Sequence, residues 1–373
     1  MKRIVLTIFL LLLVMFCSHT EVSAAQTQLF EDEIKQIENS IGDDVSEEMD
    51  TLGTNSVQSV ITNGVDSGKI WQYLIEQLAE YSSGPVAGLA VLTAVLLLVS
   101  VAESYTCSLR YTDTKDIMGV AVSLFIVSVF LEPVSQLIAS SATVISGAST
   151  IMTAYLPIMA GILMFSGHAV LSGGYYAAVV TAAQLIAKLA SGILSPLLNL
   201  FLSLSISAGI STRVQLSGLI EMIGKAFKYL ITFSTTIFIA ILGLNSALSG
   251  SADHVADKAA KFGLSSFIPL IGSSVSEAYS ALRGSVNILR SGMGVFVIVA
   301  LLITFAPVMI RTLLWSAAVG VAKMIGESLC VSSSSAILNA LSQFLSLFRA
   351  MMIAVSVLFI ISTSVMISVG GQL

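Results

Sequence analysis

The sequence predicts an all-α fold: a polytopic transmembrane helical bundle with an N-terminal signal sequence and a short external amphipathic helix. Three observations carry this prediction. Only 10% of the 373 residues are charged, against about 25% in soluble domains. The mean hydropathy is +0.94, and the apolar residues come in runs too long for an aqueous core. Backbone polar groups in lipid must be satisfied within the protein, so these runs are expected as helices.

The first element is an export signal over residues 1–25. Lys2 and Arg3 precede an apolar stretch from Ile4 to Cys17, and Val22-Ser23-Ala24-Ala25 follows. A basic start, a short apolar region and small residues at a cleavage point form the order that a secretory signal requires. The apolar stretch, about 14 residues, is short for a span of about 20. Phe16 stands before Cys17, where a lipoprotein signal would place a small residue. Whether cleaved or kept as an anchor, the signal starts the following chain on the outer face of the membrane.

Residues 26–80 form the extracytoplasmic part and hold most of the acidity behind the net charge of -5. Phe30, Ile34, Ile37, Ile41, Val45, Met49 and Leu52 recur at steps of three and four, with Glu31, Asp32, Glu33, Asp43, Asp44, Glu47 and Glu48 between them. That is the pattern of an amphipathic helix whose apolar stripe packs on the protein or on a partner. A cation-binding loop is the other reading of the acidic residues, but the Asp/Asn-Gly ligand order of an EF-hand is missing. Trp71, Tyr73 and Tyr81 lead into the first span and suit an interfacial aromatic belt.

Residues 81–373 form the multi-span domain, with about seven to nine spans of the required length. Pro85–Val101 comes first, then Ile117–Leu131, then Thr150–Leu171, with an uncharged Ser/Ala-rich stretch over 134–147 between the last two. Tyr175–Ile210 is apolar for too long to be one helix and is read as two segments meeting near Ser191-Gly192, as in a tight hairpin. Arg213, Glu221, Lys225 and Lys228 mark an amphipathic stretch, followed by clean spans over Tyr229–Leu248 and Gly292–Ile310. Thr312–Leu329 is weaker, and Ala350–Val369 closes the chain. Arg110, Lys115, Arg213, Lys225 and Lys228 fit the cytoplasmic side by the positive-inside rule. Lys258, Lys261, Arg283 and Arg290 fit it poorly if Tyr229–Leu248 crosses once, which makes 249–291 re-entrant or interfacial. Small-xxx-small pairs such as Ser246/Gly250 and Ala318/Ala322 allow close helix approach.

Catalytic and cofactor chemistry finds little support. His19, His168 and His254 have no acidic or histidine neighbours in a zinc-helix spacing, and neither a serine-nucleophile elbow nor a phosphate-binding Gly-Lys loop is present. Cys107 and Cys330 form no CxxC pair, so no metal or other cofactor is expected. Clustered basic residues of the kind that bind nucleic acid are lacking as well. Charges inside spans are better markers, since each costs about 2.5–3.5 kcal/mol on insertion scales. Glu132, Lys188, Lys323 and Glu327 qualify. Lys323 and Glu327 are four apart and can neutralise each other, while Lys188 can snorkel. These charges either only make insertion tolerable, or line a polar pathway or bind a partner's helix.

One region resembles a known family. It runs through Ala256-Asp257-Lys258-Ala259-Ala260-Lys261-Phe262 and Ser266-Phe267-Ile268-Pro269-Leu270-Ile271-Gly272 to Asn287-Ile288-Leu289-Arg290-Ser291-Gly292-Met293-Gly294. This is similar to the stage III sporulation protein AE family of endospore-forming bacteria, as is the plan of signal, acidic external segment and many spans. In the F-I-P-L-I-G run, Pro269 removes a backbone donor and Gly272 frees the chain to turn. Lys258, Lys261 and Arg290 flank the break that these two residues make with Phe267. A re-entrant element and an interfacial helix–turn–helix both fit.

The resemblance implies a membrane subunit of a secretion-like channel complex joining mother cell and forespore, in the mother-cell-derived outer forespore membrane. It implies as partners an ATPase and ring-forming membrane proteins of the same operon, with a forespore-side protein beyond them. A self-sufficient transporter or permease is the alternative. It should show two similar halves with paired broken helices, and one clear break is present, at Pro269–Gly272.

Overall fold

A computed structural model describes residues 31–109, 112–165, 169–210, 216–241, 272–329 and 331–368. Every regular element among them is a helix. Three short helices come first: α1 (Glu31–Glu38), α2 (Asp43–Thr51) and α3 (Val57–Asn63). Long rods follow: α4 (Ser67–Leu109), α5 (Thr112–Phe165), α6 (Ala169–Leu189), α7 (Ser195–Ile210), α8 (217–241), α9 (Gly272–Ser328) and α10 (Ser332–Ser368).

The apolar stripe read from residues 30–52 is present, but on two helices instead of one. Ile34, Ile37, Ile41, Met49 and Leu52 are all buried. The chain turns between α1 and α2, where the Ser40 hydroxyl donates to the Ile37 carbonyl at 2.6 Å and Gly42 supplies an extended N-cap. Gly53 ends α2 with φ 71 and Gly64 ends α3 with φ 68, a region that glycine enters without a Cβ penalty. Ser56 starts α3 with a reciprocal Ser56/Ser59 capping box. The Glu38 carboxylate accepts from the Val57 amide at 3.0 Å, which ties the end of α1 to the start of α3. The three helices thus form one folded cap.

Among the described residues, five helices are long and apolar enough to cross a membrane: Ser67–Tyr105, Gly119–Met164, Tyr176–Gly209, Val286–Ser328 and Ser334–Ile367. Ile117–Leu131 and most of Thr150–Leu171 run together in α5, and Gly292–Ile310 and Thr312–Leu329 in α9, because the stretches between them are helical too, while Tyr229–Leu248 extends outside the described residues. The Ser/Ala-rich 134–147 lies inside α5, and Arg311 and Thr312 lie inside α9. Residues 67–80, assigned to the external segment, are continuous with the first span in α4.

The hairpin expected at Ser191-Gly192 is not formed. A single π-helical turn, Ala190–Leu194, joins α6 to α7 in one rod. Pro196 is the physical reason, because it has no N–H for the carbonyl of Gly192 and its ring crowds that carbonyl. Widening the turn relieves both problems, and the Ser195 amide reaches back to the Ala190 carbonyl.

The core is the α9–α10 pair, with α4 alongside α9 and α5 lying against both. α6 packs on α5, and α7 packs on α10. Phe296, Phe305, Phe344, Phe348 and Phe359 are fully buried between these rods.

Contacts fix which ends lie together. At the lower end, Ser100 of α4 donates to the Leu329 carbonyl after α9 at 3.2 Å. Ser123 of α5 donates to Gly209 of α7 at 3.3 Å, and Gly209 abuts Ile337 of α10. At the upper end, Gly294 of α9 meets Ile367 of α10 and the Tyr155 hydroxyl of α5. The cap docks at this upper end.

Candidate functional site

Two features stand out: the docked cap at the upper end, and a level of charged and aromatic residues midway down the bundle. The cap is held by shape and by a polar contact from α4. Ile61 of α3 occupies the space that a Cβ at Gly292 would need. Gln77 of α4 donates to the Glu48 carboxylate of α2 at 3.3 Å. Burial, helped by the nearby Glu80, Glu47 and Glu76 charges, pushes the Glu48 carboxyl up from the ordinary glutamate value. The outward face of the cap carries the exposed Asp43, Asp44 and Glu47.

Arg290 is 1% exposed and is the largest fully buried side chain. It lies two residues before Gly292, on the part of α9 that receives the cap. A buried guanidinium is tolerated only when the protein engages its charge, and Arg290 is not without a partner. Gly272 is the first residue of α9. Phe267, Pro269, Lys258 and Lys261 lie outside the described residues, and so does the break read from them.

The intramembrane charges fall apart into separate places. Lys323 and Glu327 form the i,i+4 pair that their spacing allows, at 3.8 Å on the lower part of α9. Lys188 is exposed in the last turn of α6, just before the π turn. Glu132 is exposed on α5 and accepts from Gln136 at 3.1 Å. These residues do not converge on a common site. Among the described residues, no group of three or more His, Cys, Asp or Glu side chains is placed to hold a metal ion.

The mid-height level was not legible as a unit in the sequence. Arg311 of α9 lies over the Tyr81 ring of α4, 4.1 Å from its centroid. One turn on, the Trp315 ring sits 2.9 Å from where a Cβ on Gly88 would be and 4.0 Å from one on Gly84. Phe130 of α5 packs edge-on against Trp315, ring centres 5.3 Å apart. Arg349 of α10 reaches Ser316 of α9 at 3.4 Å. Gly84 and Gly88 are a small-xxx-small pair, the spacing that lets bulky neighbours approach a helix, so this signal was in the sequence. Ala318 and Ala322, which the sequence did single out, are buried in the packing of α9. Of the expected aromatic belt, Trp71 is 62% exposed, Tyr73 is buried in the core, and Tyr81 lies under Arg311.

Long apolar helices, a folded cap and an absence of converging reactive groups among the described residues define a multi-pass α-helical membrane protein. The family model of stage III sporulation protein AE (spore_III_AE) matches residues 52–370. The chain therefore belongs to the stage III sporulation protein AE family. Neither the curated proteins nor the solved structures include a match.

Proposed function

We propose that this chain is an integral membrane subunit of the secretion-like channel complex that joins mother cell and forespore during sporulation. The observation that carries the reading is the cap. A protein with no other use for residues 31–64 would gain little by folding them. Here they form three helices with an apolar underside locked on α9 and an acidic outer face. That outer face is positioned at one end of the bundle, where a partner on the same side can dock.

In this reading the chain assists transfer as a scaffold or conduit part and carries out no catalytic step. Its partners are the ATPase and ring-forming membrane proteins of the same operon, with a forespore-side protein completing the assembly. Its site of action is the mother-cell-derived outer forespore membrane, where the end bearing the cap faces the space between the two membranes. Membership of a stage III sporulation family supports this setting.

The test is site-specific photocross-linking in sporulating cells, with the photoreactive residue at Asp44 or Glu47. Adducts with ring-forming membrane proteins are expected. A chain that yields no adduct from either position, while still accumulating in the membrane, would contradict the reading.

A further inference from the structure

We propose that lipid acyl chains cover only the lower half of this bundle, with the outer edge of the bilayer at the level of Tyr81, Glu132, Arg311 and Arg349. The upper half then stands outside the bilayer as a folded body. Within it lie two strongly apolar runs, 292–310 and 350–367, as interior core. This inference rests on the membrane reading alone and is independent of which complex the protein joins.

The level is built from contacts on four helices. Arg311 lies over Tyr81, Trp315 joins α4 to Phe130 of α5, and Arg349 reaches Ser316. Glu132, two residues after Phe130, is exposed there. A fifth helix agrees. Gly224 of α8 packs on Phe201 of α7, and Gly209 of α7 packs on Ile337 of α10. At roughly 1.5 Å of rise per residue, Lys228 reaches the height of Arg349. Charged groups at one height on four rods, with Tyr81 on a fifth, mark an interface, since each charge would be costly at the centre of a bilayer.

Outward-facing residues change character at this level. Below it, α4 presents Val86, Val91, Leu97, Leu98 and Val101, with Leu98 72% exposed. This face is closed by Tyr81 above and the exposed Tyr105 below. The interval between the two tyrosines is about 36 Å at helical rise, close to a hydrocarbon core of about 30 Å plus its aromatic margins. Above the level, the same helix turns out Lys69, Gln72, Glu76 and Glu80 among the exposed Trp71, Ile75 and Leu78. α5 likewise turns out Thr143, Ser146, Thr150 and Thr153. The hydroxyl face of α5 and the charged positions of α4 suit water and not acyl chains.

Burial within the bundle agrees. The most apolar window of α9 is 67% enclosed by protein, whereas that of α4 is 22% enclosed. α9 is therefore apolar because it is core, and α4 because it meets lipid. The lower end also carries Lys115, as the cytoplasmic side should, while Lys323, about 18 Å below Arg311 at helical rise, is paired with Glu327 at 3.8 Å. Glu221 and Lys225 of α8 lie just below the level and neutralise each other at 2.7 Å. Above the level α8 turns out Tyr229, Phe233, Ile237, Ile239 and Ile241, and this face is where the division is most sharply at risk.

The test uses full-length protein in phosphatidylglycerol/phosphatidylethanolamine liposomes, with Cys17, Cys107 and Cys330 replaced by serine. Spin labels are placed singly by Val91→Cys, Leu98→Cys, Gln72→Cys, Thr150→Cys, Leu185→Cys and Phe233→Cys, and collision with oxygen and with a nickel chelate is measured. Oxygen should dominate at 91 and 98, and the nickel chelate at 72, 150, 185 and 233. The exposed Leu185 of α6 separates this proposal from a water-lined pore, which would wet 150 but leave an outward apolar position in lipid. Oxygen-dominated collision at 150, 185 or 233, or nickel-dominated collision at 91 and 98, would overturn it.

Discussion

Ile61 of the cap sits against Gly292 of α9, in the volume that any larger residue at 292 would claim. This contact couples an amphipathic segment of 31–66 to the buried heart of the bundle, two residues from the fully buried Arg290. The cap is therefore part of the folded body and moves with α9.

Replacing Gly292 by valine should lift the cap without unfolding the rods. Inserting side-chain volume into a closed contact costs about 1–3 kcal/mol. Limited proteolysis of membranes should then cut within 31–66 faster than in the wild type, with Gly292→Ala intermediate. Unchanged protection in Gly292→Val would show that the cap is held elsewhere.

The Trp315 notch makes a second prediction. A methyl group at residue 88 would lie 2.9 Å from the Trp315 ring, so Gly88→Ala should displace the indole and destabilise the α4–α9 packing by about 1–3 kcal/mol. With Trp71 changed to phenylalanine, the remaining indole emission should shift to the red. A spectrum and detergent melting curve identical to those of the parent would contradict the contact.

Docking of the cap should weaken as pH rises. Glu48 has a raised carboxyl pKa in the folded state, chiefly from burial and then from neighbouring carboxylates. Below the ordinary glutamate value both states hold the proton and nothing is lost. Between that value and the raised folded value, only the docked cap keeps its proton, so rising pH costs stability. Glu48→Gln keeps an acceptor for Gln77 and cannot ionise. Protease protection of 31–66 should fall with pH in the wild type across this window and stay flat in Glu48→Gln.

The outer face of the cap can be tested without disturbing its underside. Asp43, Asp44 and Glu47 are exposed, so changing all three to lysine should alter folding stability little, since exposed substitutions fall within about 0.5 kcal/mol each. Protein level and protease resistance should match the wild type, while sporulation efficiency drops. Full sporulation with the reversed face would remove the acidic surface from the account.

Much of this architecture was readable from composition and periodicity. The apolar stripe Ile34, Ile37, Ile41, Met49 and Leu52 is the buried stripe, and Lys323 pairs with Glu327 as their spacing allows. Element ends were harder. The stripe could not say that Ser40 and Gly42 break it into two helices, because a break of one turn barely shifts the pattern. Hydropathy divided α5 and α9 at their polar residues, yet both helices run on through them, since tertiary neighbours cover Thr304 and Thr312 and their hydroxyls bond back to α9 carbonyls. At Ser191-Gly192 the irregularity was placed correctly and its form was not, because a proline signals a lost hydrogen bond without saying whether the chain turns back. The mid-height level depends on which residues of separate helices share a height, which no single stretch of sequence encodes.

The most direct measurement is affinity purification of the tagged, full-length protein from sporulating cells, with mass spectrometry of what accompanies it. The account predicts recovery of an ATPase and ring-forming membrane proteins in fixed proportion to the chain. Recovery of the folded chain alone, in high yield, would contradict it and point to a self-sufficient transporter.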